Sequence, residues 1–372
     1  LAGPPLQIPY LQPMSRPHQF VAEVIAKFGP RRAGSDAEKA AQHYLKDLLT
    51  DLGAATEEHV FRQALRSKFL STRLFTLGYL LALLLAWWSL PLAFGLALVN
   101  AALFLTHFVT YHHILDFLYP KFESRNISAT LEPQGEAQRT LIFSGHMDST
   151  PEFIWWFWLK DWGIRLNLVA GISWVLQPLL MGLVWAAAPA GYMPAEGAAF
   201  WLWLVMVLLA PAQLSFFFIH GNNVVPGAQD NLSGIATALE VFRNLQDPNQ
   251  PGKTRLQHTR IRLLSFGSEE TGLRGATAYV QAHKEALQAQ NAHLINLDGI
   301  MEKEHINLVK AEPSPLIRYD AKLRHRLEAA LRAKEVPYQL VTLPVGATDG
   351  AAFARAGLPA ASFVCFELGS LH

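Results

Sequence analysis

The chain has 372 residues, 51% of them hydrophobic and 16% charged, with a formal net charge of +1. That length allows a large core and more than one domain, while the near-neutral charge supplies no global basic field and so argues against a nucleic-acid partner. The single cysteine, Cys365, excludes an intrachain disulfide and a thiolate-built zinc cluster, and its setting in Ala361-Ser-Phe-Val-Cys-Phe reads as a buried strand.

No signal peptide is recognisable at the start. A chain running from Leu1 to an abrupt His372 reads as a piece of a longer protein. Residues 18 to 53 read as two helices around the breaker Gly29-Pro30-Arg31-Arg32-Ala33-Gly34, with Ser35 as N-cap, Glu38 three residues on, and Gly53 as the stop. Thr56 to Leu65 follows as a strand with charge on its outer face.

The charge deficit is local. From Leu74 to Leu115 there is no Asp, Glu, Lys or Arg, and Pro91 beside Ser89 divides the stretch into two apolar halves. Each half is about 18 to 22 residues, close to the length that spans a bilayer. A second pair, Leu166 to Ala188 and Ala198 to Ile219, flanks a loop with Pro189, Gly191, Pro194 and Glu196. Trp155, Trp156, Trp158 and Trp162 precede the third span, and Trp201 and Trp203 open the fourth, as interfacial aromatics do. Four buried core helices are the competing interpretation, but helices apolar all round at this length favour the bilayer. Each hairpin returns to the side it left. Arg66, Lys68, Arg73, Lys121, Lys160 and Arg165 crowd that side and the connecting loops carry no Lys or Arg, which predicts a multi-pass protein with its large domain in the cytoplasm. His107, His112, His113 and His220 lie near span ends and are read as interfacial. Asn126-Ile-Ser matches a glycosylation sequon, without meaning in the cytoplasm.

Outside the apolar pairs, strands and helices alternate. Expected strands are Asn126 to Leu131, Thr140 to Ser144, Arg260 to Phe266, His293 to Leu297, Ile306 to Val309, Gln339 to Leu343 and Ala361 to Phe366. Expected helices are Gly234 to Leu245, Arg274 to Leu287, Tyr319 to Ala333 and Asp349 to Ala356. This alternation predicts an α/β protein: a three-layer α/β/α sandwich around a mostly parallel mixed sheet, carrying two inserted transmembrane hairpins. The site of such a sheet lies beyond the carboxyl ends of its strands.

Five polar clusters fall at those ends. They are Ser144-Gly-His-Met-Asp-Ser with His146 and Asp148, Gly227-Ala-Gln-Asp-Asn-Leu-Ser-Gly with Asp230, Phe266-Gly-Ser-Glu-Glu-Thr-Gly-Leu with Glu269 and Glu270, Asn296-Leu-Asp-Gly with Asp298, and Gly369-Ser-Leu-His with His372. Two adjacent acids at the end of a buried strand are costly unless a cation or a shared proton compensates them. One glutamate can then ligate while its neighbour, pointing elsewhere, handles protons. Nitrogen and oxygen donors without sulfur suit a catalytic zinc. Singly, each cluster has a plainer explanation: a strand-end histidine, a turn capping the Gly234 helix, a solvated helix start. In this order and at these ends they point to a metal. Arg274 reads as a surface salt-bridge partner, with a substrate carboxylate as the alternative.

The order HxD, DNxSG, EE-x-GL-x-G, LD and a late histidine resembles the di-zinc aminopeptidases of metallopeptidase family 28, as does Phe28-Gly-Pro-Arg-Arg-Ala-Gly-Ser before an acidic helix. The resemblance implies two zinc ions: one held by His146 and Asp298, a second by Glu270 and His372, with Asp230 bridging. It makes Glu269 the general base toward a metal-bound water and Asp148 the carboxylate that orients His146. It implies peptide substrates and a lipid bilayer as partners and leaves the oligomeric state unknown. The late histidine stands without its usual His-Thr-x-x-Asp context, and Thr348-Asp349-Gly350 replaces Ser-Asp-His, leaving Asp349 as substrate contact or helix N-cap. The peptidase domain then occupies residues 1–68, 120–160 and 221–372, interrupted by hairpins at 69–119 and 161–220. Aminopeptidase activity is the expected function. The alternatives are a carboxypeptidase, a glutaminyl cyclase, or a non-catalytic membrane scaffold, the last disfavoured because every ligand type is present.

Overall fold

The computed structural model describes residues 15–188, 190–246, 256–343 and 345–365. Helices α1 (Arg16–Phe28) and α2 (Asp36–Asp51) open the chain. Ser35 caps α2 as expected, its hydroxyl accepting from Glu38 N at 3.2 Å. The Glu38 carboxylate does not complete a capping box; it is buried and bonds elsewhere. Strand β1 (Ala55–Gln63) leads to α3 (Ser67–Leu85) and α4 (Leu90–Leu103), the latter prolonged by a wider π turn over Phe104–Val109. Then come β2 (Phe122–Leu131), β3 (Arg139–His146), β4 (Pro151–Phe153), α5 (Ile154–Leu159), α6 (Asp161–Ala187), α7 (Gly197–Phe217) and β5 (His220–Val224). The remainder runs α8 (Gly234–Gln246), β6 (Thr259–Phe266), α9 (Arg274–Ala289), β7 (Ala292–Asp298), β8 (Ile306–Glu312), β9 (Ile317–Arg318), α10 (Ala321–Ala333), β10 (Gln339–Thr342), α11 (Gly350–Arg355) and β11 (Ala360–Cys365).

Eight strands line up in the order β1-β2-β6-β3-β7-β11-β8-β10, with β9 pairing β8. The centre, β6-β3-β7-β11, is parallel, while β1, β2 and β8 join antiparallel. One face packs against α9 and α11 through Leu264, Phe266, Leu294 and Phe353; the other packs against α1, α2 and α8 through Leu45, Leu239, Phe242 and Leu263. This is the expected three-layer sandwich. The helix expected from Tyr319 begins at Ala321, because Asp320 caps it by accepting from Leu323 N at 2.6 Å. The strand expected to reach Phe366 is seen as far as Cys365, which is buried; Phe366 lies outside the described residues. Strand pair β4–β5 and strand β9 were not foreseen. Asn126 is wholly buried and donates to the Gly275 carbonyl at 2.9 Å, so the sequon is no surface loop.

Four helices are long and apolar enough to cross a membrane: Ser67–Leu85, Leu90–Val109, Asp161–Ala187 and Gly197–Phe217. They pack as one bundle, α3 against α4 and α7, and α6 against α4 and α7. Their polar side chains turn inward and bond across helices. Trp174 and Asn100 both donate to the Phe75 carbonyl at 3.2 and 2.9 Å, Gln177 to that of Tyr79 at 2.9 Å, and Tyr79 to that of Met206 at 2.9 Å. Leucines 92, 179 and 208 face outward, 60 to 70% exposed. Apolar outside and hydrogen-bonded inside is the arrangement hydrocarbon selects.

The start of α9 lies against the backbone that leaves β6. A Cβ on Gly275 would stand 2.3 Å from the Gly267 carbonyl and 2.5 Å from Asn126 Oδ1. Gly275→Ala is therefore expected to lower stability by about 1–3 kcal/mol or more. Gly95→Ala, with open space at its Cβ, is expected to be neutral or mildly stabilising. Thermal melts of the two variants beside the parent check this.

Candidate metal centre

Three parallel strands deliver the site. His146 is the last residue of β3, Asp298 the last of β7, and Glu269 and Glu270 follow β6 by three and four residues. Asp230 lies in the irregular turn Ala228–Ser233 that leads into α8. His146 Nε2 stands 3.0 Å from Asp230 Oδ1, 3.7 Å from Glu269 Oε2 and 3.9 Å from Asp298 Oδ1. Donor atoms of His146, Asp230 and Asp298 lie within 4.8 Å of one another, and so do those of His146, Glu269 and Glu270. Both glutamates therefore face the imidazole, where the sequence suggested that one points away. His372 lies outside the described residues.

Hydrogen bonds hold this cluster in shape. Asp148 sits under the glutamate pair, its two carboxylate oxygens accepting from the backbone N–H of Glu269 at 2.9 Å and of Glu270 at 3.1 Å. It touches the imidazole as well: His146 Nδ1 is 3.2 Å from the Asp148 carbonyl and 3.5 Å from its carboxylate. Asn231 joins the Asp230 turn to the end of β7. Its amide donates to the Leu297 carbonyl at 2.9 Å, and its oxygen accepts from Gly299 N at 3.0 Å and Gly234 N at 3.1 Å. The cap expected from DNxSG is real, and the same side chain aligns two of the acids.

Two supports were invisible as such in the sequence. Glu38 accepts from Ser268 N at 2.6 Å and Ser268 Oγ at 3.0 Å, immediately before the glutamate pair. Burial, with Asp148 nearby, pushes its pKa up to about 8. Arg31 is wholly buried and donates to the carbonyls of Met147, Gly29 and Gly227, at 2.8, 2.7 and 3.3 Å. It ties the β3 loop to the strand-to-helix turn that carries Asp230. Both lie in or next to the Gly29–Gly34 breaker, which hinted at their region but not their reach.

The electrostatics are lopsided. Burial raises the pKa of Glu269, Glu270 and Asp349 well above the carboxylate range, and that of Asp298 to about 7, with neighbouring acids adding to each. Lys68 opposes part of the rise at Glu270. Burial alone would lower the His146 pKa, but Glu269, Asp148 and Asp230 outweigh it and hold it well above its ordinary value. Asp349 precedes α11 without capping it, so the N-cap expectation fails. Both its oxygens and Glu270 Oε1 are buried with no hydrogen-bond partner. Buried carboxylates this numerous around one imidazole, some with unclaimed oxygens, fit a divalent cation with nitrogen and oxygen ligands.

Arg274 is neither a surface pair nor open to a substrate. It is 1% exposed and forms a bidentate ion pair with Asp116. It also donates to Ser67 Oγ at 2.7 Å, Gln63 Oε1 at 3.4 Å and the Thr271 carbonyl at 3.2 Å.

Comparison with known proteins bears on the family and the fold. Residues 215–370 match the sequence model of Peptidase family M28. A zinc aminopeptidase from Bacillus subtilis superposes with a TM-score of 0.51 at 13% identity, over 96% of this chain and 86% of that one. A Zn-dependent exopeptidase from Parabacteroides distasonis gives 0.50 at 16%, over 96% and 85%. A Bacteroides thetaiotaomicron glutaminyl cyclase bound to N-acetylhistamine gives 0.50 at 14%, over 95% and 85%. The fold is that of the zinc exopeptidases. Fold and family match together define the class of this protein, a metallopeptidase.

The acids give the centre a pH signature. Burial pushes the pKa of Asp298 up to about 7 and that of Glu38 up to about 8 in the folded chain, against ordinary values of 3.8 and 4.5. The folded chain then binds more protons than the unfolded one between about pH 4 and pH 8, so stability falls as pH rises through that window. A cation held by Asp298 would replace the proton there. Chelator-treated protein should melt at steadily lower temperature from about pH 5 to pH 8, and the stabilisation by added zinc should widen over the same range. A zinc effect independent of pH would contradict the cation reading.

Proposed function

We propose that this protein is a membrane-anchored, zinc-dependent exopeptidase that removes N-terminal residues from peptides. The observation that carries this reading is the convergence of His146, Asp230, Glu269, Glu270 and Asp298 beyond the carboxyl ends of β3, β6 and β7. His146 and Asp298 would hold one zinc, Glu270 and His372 a second, with Asp230 shared between them. Zinc, when bound, polarises a substrate carbonyl and makes water a better proton donor. Glu269 accepts the proton of the attacking water and delivers it to the leaving amine. Asp148 fixes the angle of that base through the two backbone amides it binds. The Asp230 side chain is 59% exposed, so the cluster opens to solvent on that side.

Glu269→Gln should keep its zinc and lose turnover by roughly 100- to 10,000-fold, the usual contribution of a positioned base. Asp230→Ala should lose zinc as well as activity. Elemental analysis of each variant, alongside aminoacyl reporter hydrolysis, separates the two roles; two zinc ions per chain are expected in the parent. A peptide with a blocked N-terminus should resist cleavage, and its cleavage would favour a carboxypeptidase. Cyclisation of an N-terminal glutaminyl peptide would favour the glutaminyl cyclase alternative.

We also propose that the four apolar helices span a bilayer with the peptidase domain on the cytoplasmic side, and that residues 69–119 and 161–220 form the two membrane units. The apolar outer surface of the bundle and the basic residues at its domain end support this. A Tyr192→Cys label in a Cys365→Ser background should react with an impermeant thiol reagent applied outside intact cells. Reaction only after lysis would reverse the topology.

A further inference from the structure

The membrane insert reaches the candidate site itself. The turn after the glutamate pair, at Gly272, has a left-handed φ of 108°, and a Cβ there would meet His113 Cε1 at 2.8 Å, Tyr111 Cδ1 at 3.3 Å and Lys68 Cδ at 3.5 Å. Lys68 comes from the first turn of α3, and Tyr111 and His113 from the loop that leaves the second apolar helix. The two ends of the first hairpin thus close over the backbone that presents Glu269 and Glu270.

Two cations stand there, and only one is committed. Every nitrogen of Arg274 is bonded, to Asp116, Ser67, Gln63 or the Thr271 carbonyl. Lys68 lies with Nζ 4.5 Å from the Tyr111 ring centroid, and among the described residues no carboxylate oxygen is within 4.0 Å of it. Beside it, both ring nitrogens of His113 are buried without a hydrogen-bond partner. The Arg274–Asp116–Ser67 latch fixes the residue immediately before Lys68, so this lysine is held in place beside the glutamate turn with no hydrogen-bonded carboxylate of its own among the described residues.

We propose that Lys68 is a substrate-binding residue that receives the free α-carboxylate of the residue leaving the active site, giving the enzyme a preference for dipeptides. The assignment rests on the aminopeptidase reading above. Glu269 returns its proton to the leaving amine, so the leaving residue lies on the side of the Glu269–Gly272 turn. In a dipeptide that residue bears its carboxylate one carbon from the amine. Such a carboxylate calls for a cation beside the leaving residue, and Lys68 supplies one at the glutamate turn. A longer peptide or an amide offers only a neutral carbonyl in that place.

The test compares leucyl-glycine, leucyl-glycinamide and leucyl-p-nitroanilide on zinc-loaded full-length protein and on its Lys68→Met and Lys68→Arg variants. The parent should favour the free acid over the amide. Lys68→Met should lower kcat/KM for the acid by roughly 10- to 100-fold, the weight of a charge-assisted hydrogen bond, and for the amide far less. Lys68→Arg should restore part of the preference. Calorimetric binding of the acid and the amide to Glu269→Gln protein, with and without Lys68→Met, should show the same discrimination without turnover. Equal treatment of acid and amide by the parent overturns the proposal, as does an equal loss on both in Lys68→Met, which would mean that the lysine acts on the glutamates instead. Failure to hydrolyse any of the three, the anilide included, refutes the peptidase reading and this assignment with it.

Discussion

The structure depends on one electrostatic problem: several carboxylates are buried around a single imidazole. Removing ionised acids from water costs several kcal/mol each unless a cation or hydrogen bonds compensate. The fold meets that cost partly by itself. Asp148 accepts two backbone amides, Asn231 stitches the Asp230 turn to the end of β7, and Glu38 and Arg31 brace the loops from behind. What remains without a hydrogen-bond partner, at Glu270 and Asp349 above all, leaves the cluster short of compensation and suited to a divalent ion. The cluster is thus shaped by protein–protein hydrogen bonds and left electrostatically unfinished, which is how a site with a fixed ligand geometry is preorganised.

Such a site tolerates two long detours of the chain because each detour is closed where it leaves. The second hairpin departs after β4 and returns in β5, and those strands pair, Pro151 opposite Val224 and Phe153 opposite His220. The first leaves at Ser67 and returns by Asp116, whose side chains bond each other at 2.6 Å and share Arg274. A buried ion pair of this kind contributes little net stability, since desolvation offsets its attraction, but it penalises any other alignment of its members. Its effect is one of register: it sets the hairpin against the turn that carries the glutamates.

Much of this was legible in the residues. Alternating apolar runs placed the central strands within one or two residues, because strands buried on both faces leave an unmistakable aliphatic signature at Ile261 to Phe266 and Leu294 to Leu297. The glutamate pair at the end of β6 stood out by the cost of burying adjacent acids, while the remaining site residues were assigned through the resemblance to metallopeptidase family 28. The supports were not legible in this way. Glu38 looked like half of a capping box because local spacing carries no trace of Ser268, 230 residues away along the chain. Arg274 looked like a surface residue because its partners, Ser67 and Asp116, are distant in sequence and stand at the two ends of the first apolar helix pair. Short strands such as β4 and β5 escaped for a related reason: three to five residues pair only because the bundle brings them together.

The latch also changes what the apolar hairpin is. An anchor joined by a loose linker would leave the peptidase domain chemically indifferent to it. Here the first turn of α3 and the loop after the π turn form part of the wall around Glu269 and Glu270, with Tyr111 packed into the same core as Phe266 and Phe353. Arg355 of α11 holds that loop from the far side through the Thr110 carbonyl at 2.7 Å. The wall cannot be withdrawn without unpacking the sandwich, and the glutamate turn cannot shift without disturbing the hairpin. The apolar hairpin and the acidic cluster are therefore packed as one unit.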